Sequence, residues 1–468
     1  MKFYLEPLGC AKNQVDAETI IAHLDAAGAE FVENPDEAAL IIVNSCGFIE
    51  EAKREAIDTV ISFRNNYPDK KIILSGCLAM RYEKELSREL READAVFGGG
   101  NLENIAPLAF SIMNDAGDTP RHDHPEAVAE SAASTPATAA VPDNPTSTPA
   151  TAAVLSAAAK RTKLFSLPGS AYVKIAEGCN NRCSFCAIPL IRGGLRSRNV
   201  EEITDECRAM LERGTLELCL VAQDLASYGK DNGGTLAALL KSLSTLKGSF
   251  WVRLLYLHPD HFPFEILEII AADKRFLPYF DIPFQHASPS LLRTMNRRGG
   301  AEAYLKLIEH IRAALPESVI RSTFLTGFPG ETESDFDILL DFQNAARIDW
   351  LGVFTFSREE GVPAYSLKSR VPKKIARERK KLLETRQTPI TEGRMERFTK
   401  RRMTALVEER VDSFYIGRLF CHAPEVDGAV VIEGADELPL GSFIDGVVSS
   451  RAGFDLTMQF RSAFPTKM

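Results

Sequence analysis

Cys179, Cys183 and Cys186 fall within one short segment, Glu177-Gly178-Cys179-Asn180-Asn181-Arg182-Cys183-Ser184-Phe185-Cys186. This C-x3-C-x2-C run constrains the fold most, because three thiols this close can wrap one small inorganic cluster. Three thiolates are one short of the four that fully ligate a 4Fe–4S cube, so the fourth iron keeps an open coordination site. An open site on a redox cluster is a place for a substrate or cofactor to bind. The plainer reading is a zinc site or a few free thiols. Structural zinc takes four protein ligands, and its common signatures pair two cysteine knuckles or add histidines. Neither lies nearby. The strand-like stretch Ala171–Ala176 before the run and the aromatic Phe185 before its third cysteine favour the cluster.

A second set of cysteines is dispersed. Phe3–Leu8, Ala39–Asn44 and Lys71–Ser75 read as buried parallel strands, with helical periodicity over Asp16–Ala27 and Glu50–Phe63 between them. This βαβ order predicts a doubly wound parallel sheet over residues 1–110. Cys10, Cys46 and Cys77 each follow one of these strands, in Leu8-Gly9-Cys10, Ser45-Cys46-Gly47 and Ser75-Gly76-Cys77. Loops leaving the carboxyl ends of such strands converge on one crevice, and the glycines let backbone approach an inorganic body closely. Taken singly, each could be a buried core cysteine. Their equivalent placement favours a second cluster with three ligands. Cys207, Cys219 and Cys421 share no such pattern and read as core thiols.

The rest of the chain bounds these sites. It has 468 residues, room for two or three domains, with no apparent signal peptide. No stretch approaches the roughly 18 apolar residues of a membrane span. Nine cysteines in such a chain point to a reducing, cytoplasmic setting. Residues 111–165 are dominated by Ala, Pro, Thr and Ser and carry the octapeptide Ser-Thr-Pro-Ala-Thr-Ala-Ala-Val twice, at 134–141 and 147–154. That composition reads as a loose linker without catalytic part. From 166 onward six strand candidates recur, at Ala171–Ala176, Glu217–Ala222, Phe250–Leu257, Tyr279–Phe284, Val319–Thr326 and Trp350–Phe356, mostly separated by helices such as Val200–Arg213 and Ala301–Ala314. Repeated βα units predict a barrel or partial barrel. Reactive groups then gather at strand ends: Gln223 and Asp224, His258, and Gln285 with His286. With Phe185 they are the candidate lining of a cofactor and substrate pocket. Gly327-Phe328-Pro329-Gly330 reads as shaping a loop rather than holding phosphate. Arg297 and Arg298 read either as neutralising a carboxylate or as an exposed helix end.

Residues 371–402 hold twelve basic and four acidic side chains, which reads as a solvated helix face with nucleic acid as the other possibility. The final stretch reads as short strands with turns at Asp427-Gly428, Gly434 and Pro439-Leu440-Gly441, a small antiparallel β-barrel. Between 412 and 460 eight acidic residues face only Arg418 and Arg451, a net −6. The net charge of the whole chain is −9, which argues against a surface devoted to nucleic acid. An acidic tail would instead steer a basic protein.

Dispersed cysteines ahead of the C-x3-C-x2-C run, with a small β-domain behind, resemble the methylthiotransferase family of the radical S-adenosylmethionine superfamily. The words Gly9-Cys10-Ala11-Lys12-Asn13-Gln14-Val15-Asp16, Asn44-Ser45-Cys46-Gly47-Phe48-Ile49-Glu50-Glu51-Ala52-Lys53, Ala222-Gln223-Asp224 with Tyr228-Gly229, Phe284-Gln285-His286 with Met295-Asn296-Arg297-Arg298, and Thr326-Gly327-Phe328-Pro329-Gly330-Glu331-Thr332 carry the resemblance. Gly417-Arg418 and Ala423-Pro424-Glu425-Val426-Asp427-Gly428 match its TRAM domain. Within the family the words resemble the ribosomal-protein branch. The long repetitive linker departs from the family's shorter connection.

The resemblance implies an α/β fold: an N-terminal domain over 1–110, the linker 111–165, a partial (β/α)6 barrel of radical S-adenosylmethionine type over 166–395 and TRAM over 396–468. It implies two 4Fe–4S clusters and S-adenosylmethionine. The cluster on Cys179, Cys183 and Cys186 would cleave the cofactor to a 5′-deoxyadenosyl radical, which takes hydrogen from the β-carbon of an aspartyl residue in small-subunit ribosomal protein S-twelve. The cluster on Cys10, Cys46 and Cys77 would carry the sulfur, methylated by a second S-adenosylmethionine and passed to the carbon radical. Such chemistry belongs to the cofactor, while the protein orients it and excludes water. No catalytic side chain is predicted beyond the clusters; Phe185, Gln223 and Asp224 are expected to bind cofactor. Expected partners are the ribosomal protein, at or near the ribosome, and an electron donor such as a flavodoxin or ferredoxin, with the chain a monomer. Two rivals remain: a tRNA methylthiotransferase acting on a modified adenosine, and a non-catalytic iron–sulfur RNA-binding protein. Two three-cysteine sets speak against the second rival, since pure electron carriers close all four ligands.

Overall fold

Strand β1 (Lys2–Pro7) alternates buried and half-exposed side chains, while β3 (Leu40–Ser45) is buried throughout and β4 (Lys71–Gly76) nearly so. Such continuous apolar runs belong in a parallel sheet covered on both faces. In this computed structural model, which describes residues 1–114 and 161–463, they form the centre of a five-stranded parallel sheet. The short strands β2 (Glu30–Phe31) and β5 (Ala95–Phe97) complete it in the order β2-β1-β3-β4-β5. This order is that of a doubly wound sheet whose direction of winding reverses between β1 and β3, where such folds place their ligands. Helices Ala11–Ala26, Glu50–Asn66, Cys77–Glu89 and Ile105–Asn114 flank it. The first of these starts five residues before the expected position. Cys10 is its N-cap and makes no side-chain cap bond, so the usual polar signal is missing. The expected linker at 111–165 lies mostly outside the described residues; of its ends, 111–114 belong to the fourth helix. At its other end, still inside the expected linker, Arg161 is buried in an ion pair with Glu18.

The contacts divide the chain into two compact units, one of residues 1–47 and 51–163, the other of 48–50 and 164–468. In the second, six parallel strands form one open sheet, ordered β13-β12-β11-β10-β9-β6. They are β6 (Ser170–Lys174), β9 (Glu217–Val221), β10 (Trp251–Leu254), β11 (Phe276–Asp281), β12 (Val319–Thr326) and β13 (Trp350–Thr355). All six strand candidates are thus present, as a partial barrel. Two short strands, β7 (Ala176–Glu177) and β8 (Arg196–Ser197), pair antiparallel just after β6. The basic stretch is mainly one helix, Lys373–Met395, whose buried side chains include Ala376, Arg379, Leu383, Gln387, Thr391 and Met395. Those positions repeat every three to four residues, so one face docks and the other is solvated.

The tail is a closed five-stranded barrel, β14 (Arg402–Val411), β15 (Phe414–Arg418), β16 (Val430–Glu433), β18 (Asp455–Ala463) and β17 (Phe443–Ala452) in ring order. The expectation of a purely antiparallel barrel is corrected here: β16 and β18 pair in parallel. Five is odd, and directions cannot alternate all the way round an odd ring.

This barrel is bolted to the amino-terminal end of the larger one. Arg418 reaches Glu217 (2.5 Å), Glu408 (2.7 Å) and Ser170 (2.9 Å), and Arg253 bonds Glu217 (2.8 Å) and the Phe420 carbonyl (2.9 Å). Although burial works to raise the Glu217 pKa, the Arg418 and Arg253 guanidinium groups bring it down to about 2. The Trp350 indole donates to the Cys421 carbonyl, and Asp427 is held by Tyr279 and Arg321. Side chains from all six strands thus close on the segment Arg418–Gly428, and Leu419, Cys421, His422 and Ala423 are almost wholly buried. The count of −6 over this tail therefore overstates its acidic surface, since Asp427 faces inward and Asp445 pairs with Arg402.

Candidate metal centres

The first unit gathers Cys10, Cys46 and Cys77 at the carboxyl ends of β1, β3 and β4, on either side of the winding reversal. A β-carbon on Gly9, whose φ is +103°, would lie 3.0 Å from the Cys46 β-carbon, and one on Gly47 would lie 2.7 Å from the Cys77 backbone. Only glycine permits these approaches. Asn13, one turn into the first helix, ties the three loops together. Its amide donates to the carbonyls of Ser45 (2.7 Å) and Leu8 (3.2 Å), and its oxygen accepts from the Cys77 thiol (3.1 Å). Asn44 donates in turn to the Asn13 carbonyl (2.7 Å). Cys10 caps one helix and Cys77 opens another, so both stand where helix dipoles favour negative charge. Sequence reading missed Asn13 as a functional residue, although it lies in the phrase that carries Cys10.

In the second unit the run Cys179–Cys186 forms the loop after β6. The β7–β8 pair pinches it shut at the base, and the Cys179 amide donates to the Gly193 carbonyl (3.2 Å). Gly178, at φ +72°, passes so close to Gly194 that any β-carbon would meet its carbonyl oxygen at 2.0 Å. Burial pushes the Cys179 thiol up to about 11 and Cys186 up to about 12, and raises Cys183 as well; the three also act on one another. Buried thiols become thiolates only if a cation compensates, which bound iron would provide. Arg297 supplies part of it. Its guanidinium is buried beside all three cysteines, and its Nε and Nη2 have no hydrogen-bond partner among the described residues. The donor set fits an anion-bearing cluster. Among the described residues no three His, Cys, Asp or Glu close to the spacing of a single ion; a four-iron cube is wider, and its ligands stand farther apart.

The residues expected to line the pocket are all brought to this end of the barrel, in distinct roles. Phe185 packs edge-on against Phe328 at 6.4 Å. Gln223 gives its amide to Glu177 (3.1 Å), which also holds Lys174 and Arg192. The Asp224 carboxylate accepts from Asn181 in the cysteine loop (2.8 Å), from Ser227 (2.6 Å) and from His261 (2.7 Å). Burial opposes ionisation there, yet His261 outweighs it and holds the carboxyl below the usual range. Asp224 is thus a brace for the loop. His258 stacks on His261 at 4.8 Å, and burial followed by the Arg297 charge lowers its pKa to about 2. His286 is buried 3.6 Å from Glu331, whose other oxygen takes the Gly327 amide. That bond engages the Gly327 amide within its own loop. Arg182, Tyr256, Gln285 and Asn296 all have left-handed φ, between 52° and 71°. Four strained non-glycine residues around one site are a feature that sequence did not signal.

The chain matches the uncharacterized protein family UPF0004 over residues 2–98, the radical SAM superfamily over 173–342 and the TRAM domain over 401–460. It is 44% identical to a ribosomal protein uS12 methylthiotransferase RimO of Treponema denticola, covering 96% of this chain and 98% of that protein. Proteins of the same description from Thermodesulfovibrio yellowstonii (37%; 97% and 98% covered) and Aquifex aeolicus (38%; 97% and 96%) are also similar. Among solved structures, the radical S-adenosylmethionine methyltransferase TsrM of Kitasatospora setae, with cobalamin and a 4Fe–4S cluster bound, shares the fold. Its TM-score is 0.52 at 16% identity, over 78% of this chain and 73% of that one.

Proposed function

Since this chain belongs to the family of ribosomal protein uS12 methylthiotransferases, we propose that it adds a methylthio group to the β-carbon of an aspartyl residue of that ribosomal protein, using six cysteines in two sets of three. Cys179, Cys183 and Cys186 would hold one 4Fe–4S cluster and Cys10, Cys46 and Cys77 the other. When bound, these clusters supply an electron that breaks the sulfonium bond of S-adenosylmethionine and an iron that carries the transferred sulfur. The observation that carries this reading is the placement of both sets at carboxyl ends of parallel strands, each one ligand short of a closed cube.

The chain's own side chains orient and enclose. Asn13 sets the spacing of the first three ligands. Asp224, through Asn181, sets the loop of the second, and Gln223 with Glu177 fixes its base. Phe185 and Phe328 form an apolar wall that keeps water from the reacting carbon. Arg297 offers a buried positive charge to a carboxylate or to the cluster itself.

Domain limits of 1–110, 166–395 and 396–468, joined through 111–165, fit this division of labour. The exposed acids Asp412, Glu433, Asp436 and Glu437 of the tail suit a basic ribosomal protein. No helix among the described residues is long and apolar enough to cross a membrane, which suits work at the ribosome in the cytoplasm, as a monomer served by a separate electron donor. The test is mass spectrometry of the ribosomal protein from cells lacking this gene, with and without the gene restored. The aspartyl residue should gain the methylthio group only when the gene is present. Loss of a methylthio group from tRNA adenosine instead, with the ribosomal protein unaffected, would overturn the assignment.

A further inference from the structure

Positive charge is concentrated beside the Cys179–Cys186 loop, in a chain whose net charge is −9. Arg182, inside the loop, is exposed, as are Arg293, Lys368, Arg370, Lys373 and Arg377. The hydrogen bonds place them on one face. The Ser184 carbonyl, between the second and third cysteines, accepts from Ala364 (2.8 Å), and its hydroxyl donates to the Thr294 carbonyl (2.8 Å). Asn296 donates to the Arg182 carbonyl (2.8 Å), and the Gly330 amide to the Ser369 carbonyl (2.6 Å). Between these segments lies a cleft of about 280 Å³, lined by Ser290, Thr294, Pro329, Gly330, Lys368 and Ser369 among others.

None of the six cations has an ion pair among the described residues, while the neighbouring acids are engaged. Glu331 and Glu333 pair with Arg379, Glu378 with Lys374, and Asp335 accepts from Ser288, Ser290 and Thr332. A face with six unpaired cations, whose exposed acids Glu333 and Glu378 are paired with other cations, beside the cluster loop itself, has the features of a steering surface.

We propose that this face docks a small acidic electron-transfer protein, which passes one electron to the cluster on Cys179, Cys183 and Cys186. The inference rests on the cluster assignment proposed above. In the step the donor's cofactor is oxidised by one electron and the cluster reduced by one; no bond forms or breaks and no proton moves. Electron transfer falls steeply with distance, so a donor has to dock where the cluster loop meets the surface. Such encounters use small interfaces guided by charge. An RNA partner would be served equally well by cations far from the loop.

The experiment follows reduction of the anaerobically reconstituted full-length protein by stopped-flow absorbance, with either reduced flavodoxin or photoreduced 5-deazariboflavin, a small uncharged reductant. The variant is Lys368→Glu, Arg370→Glu, Lys373→Glu, all exposed and unpaired. Its rate with flavodoxin should fall by about tenfold or more at low salt, and added salt should slow the unaltered protein as well. The rate with the deazaflavin and the iron content should not change. An unchanged flavodoxin rate overturns the proposal, and if the variant also loses affinity for small ribosomal subunits the face is an RNA-binding one. Failure of the deazaflavin to reduce even the unaltered protein would strike instead at the cluster assignment.

Discussion

Asn13 concentrates more structure in one amide than any cysteine near it. Asn13→Ala leaves the Ser45 and Leu8 carbonyls without that donor and loosens three loops at once, at a cost of about 1–3 kcal/mol. The purified variant should lose about half its iron, the share of one cluster of two, while cleaving S-adenosylmethionine as before. Iron assay and chromatography of cleavage products check both; full iron content would show that Asn13 only packs. Asp427 makes a prediction of another kind. Burial raises its pKa from 3.8 to about 6, against the pull of Arg321. The folded state therefore holds more protons than the unfolded one between these values. Its contribution to stability is greatest below about pH 4, declines as pH rises through the window and is spent above about 6. Asp427→Asn lacks this titration, so its stability relative to the unaltered protein should improve by roughly 3 kcal/mol from pH 4 to pH 7, as urea unfolding at several pH values would read. The six cysteines were legible in the sequence because spacing and strand ends announce them. The braces Asn13, Asn181, His261 and Glu177 were not, because their roles depend on partners 15 to 64 positions away.

At the level of the element, the repeated βα units were legible because a buried parallel strand is a continuous apolar run. Strands β2 and β5, of two and three residues, are too short to show any period. The parallel pair in the tail barrel follows from ring closure, which no single segment records. Helix Lys373–Met395 read as a basic run because its docked face is polar too. Asp349 anchors its end, meeting Arg394 and Arg397 at 2.8 Å each with Arg312 near by. Asp349→Ala would leave those guanidinium groups without their anion and take the bond from the Ile320 amide (2.9 Å). A loss of about 3–5 kcal/mol is expected, seen as a lower urea midpoint with unchanged slope. A loss below about 1 kcal/mol would mark the cluster of charges as an ordinary surface set.

For the whole molecule, the two cysteine sets should separate cleanly. Changing Cys179, Cys183 and Cys186 together to Ala should remove about half the iron and all cofactor cleavage. Changing Cys10, Cys46 and Cys77 should remove a similar share but spare cleavage and abolish methylthio transfer. Full iron in the second variant would refute the first unit's cluster. Deleting residues 120–158, whose sequence holds no cysteine and only two histidines, His122 and His124, should keep both clusters and most transfer activity; loss of either cluster would contradict a passive linker.

The segment Leu419–Gly428, wedged into one end of the larger barrel, stops that end. Cofactor, target side chain and spent fragments would then share the entrance left to them, at the end that carries the cysteine loop and along the open edge of the sheet. Crowding at this entrance would make product departure compete with the next arrival, so excess S-adenosylmethionine should slow turnover of the target rather than hasten it.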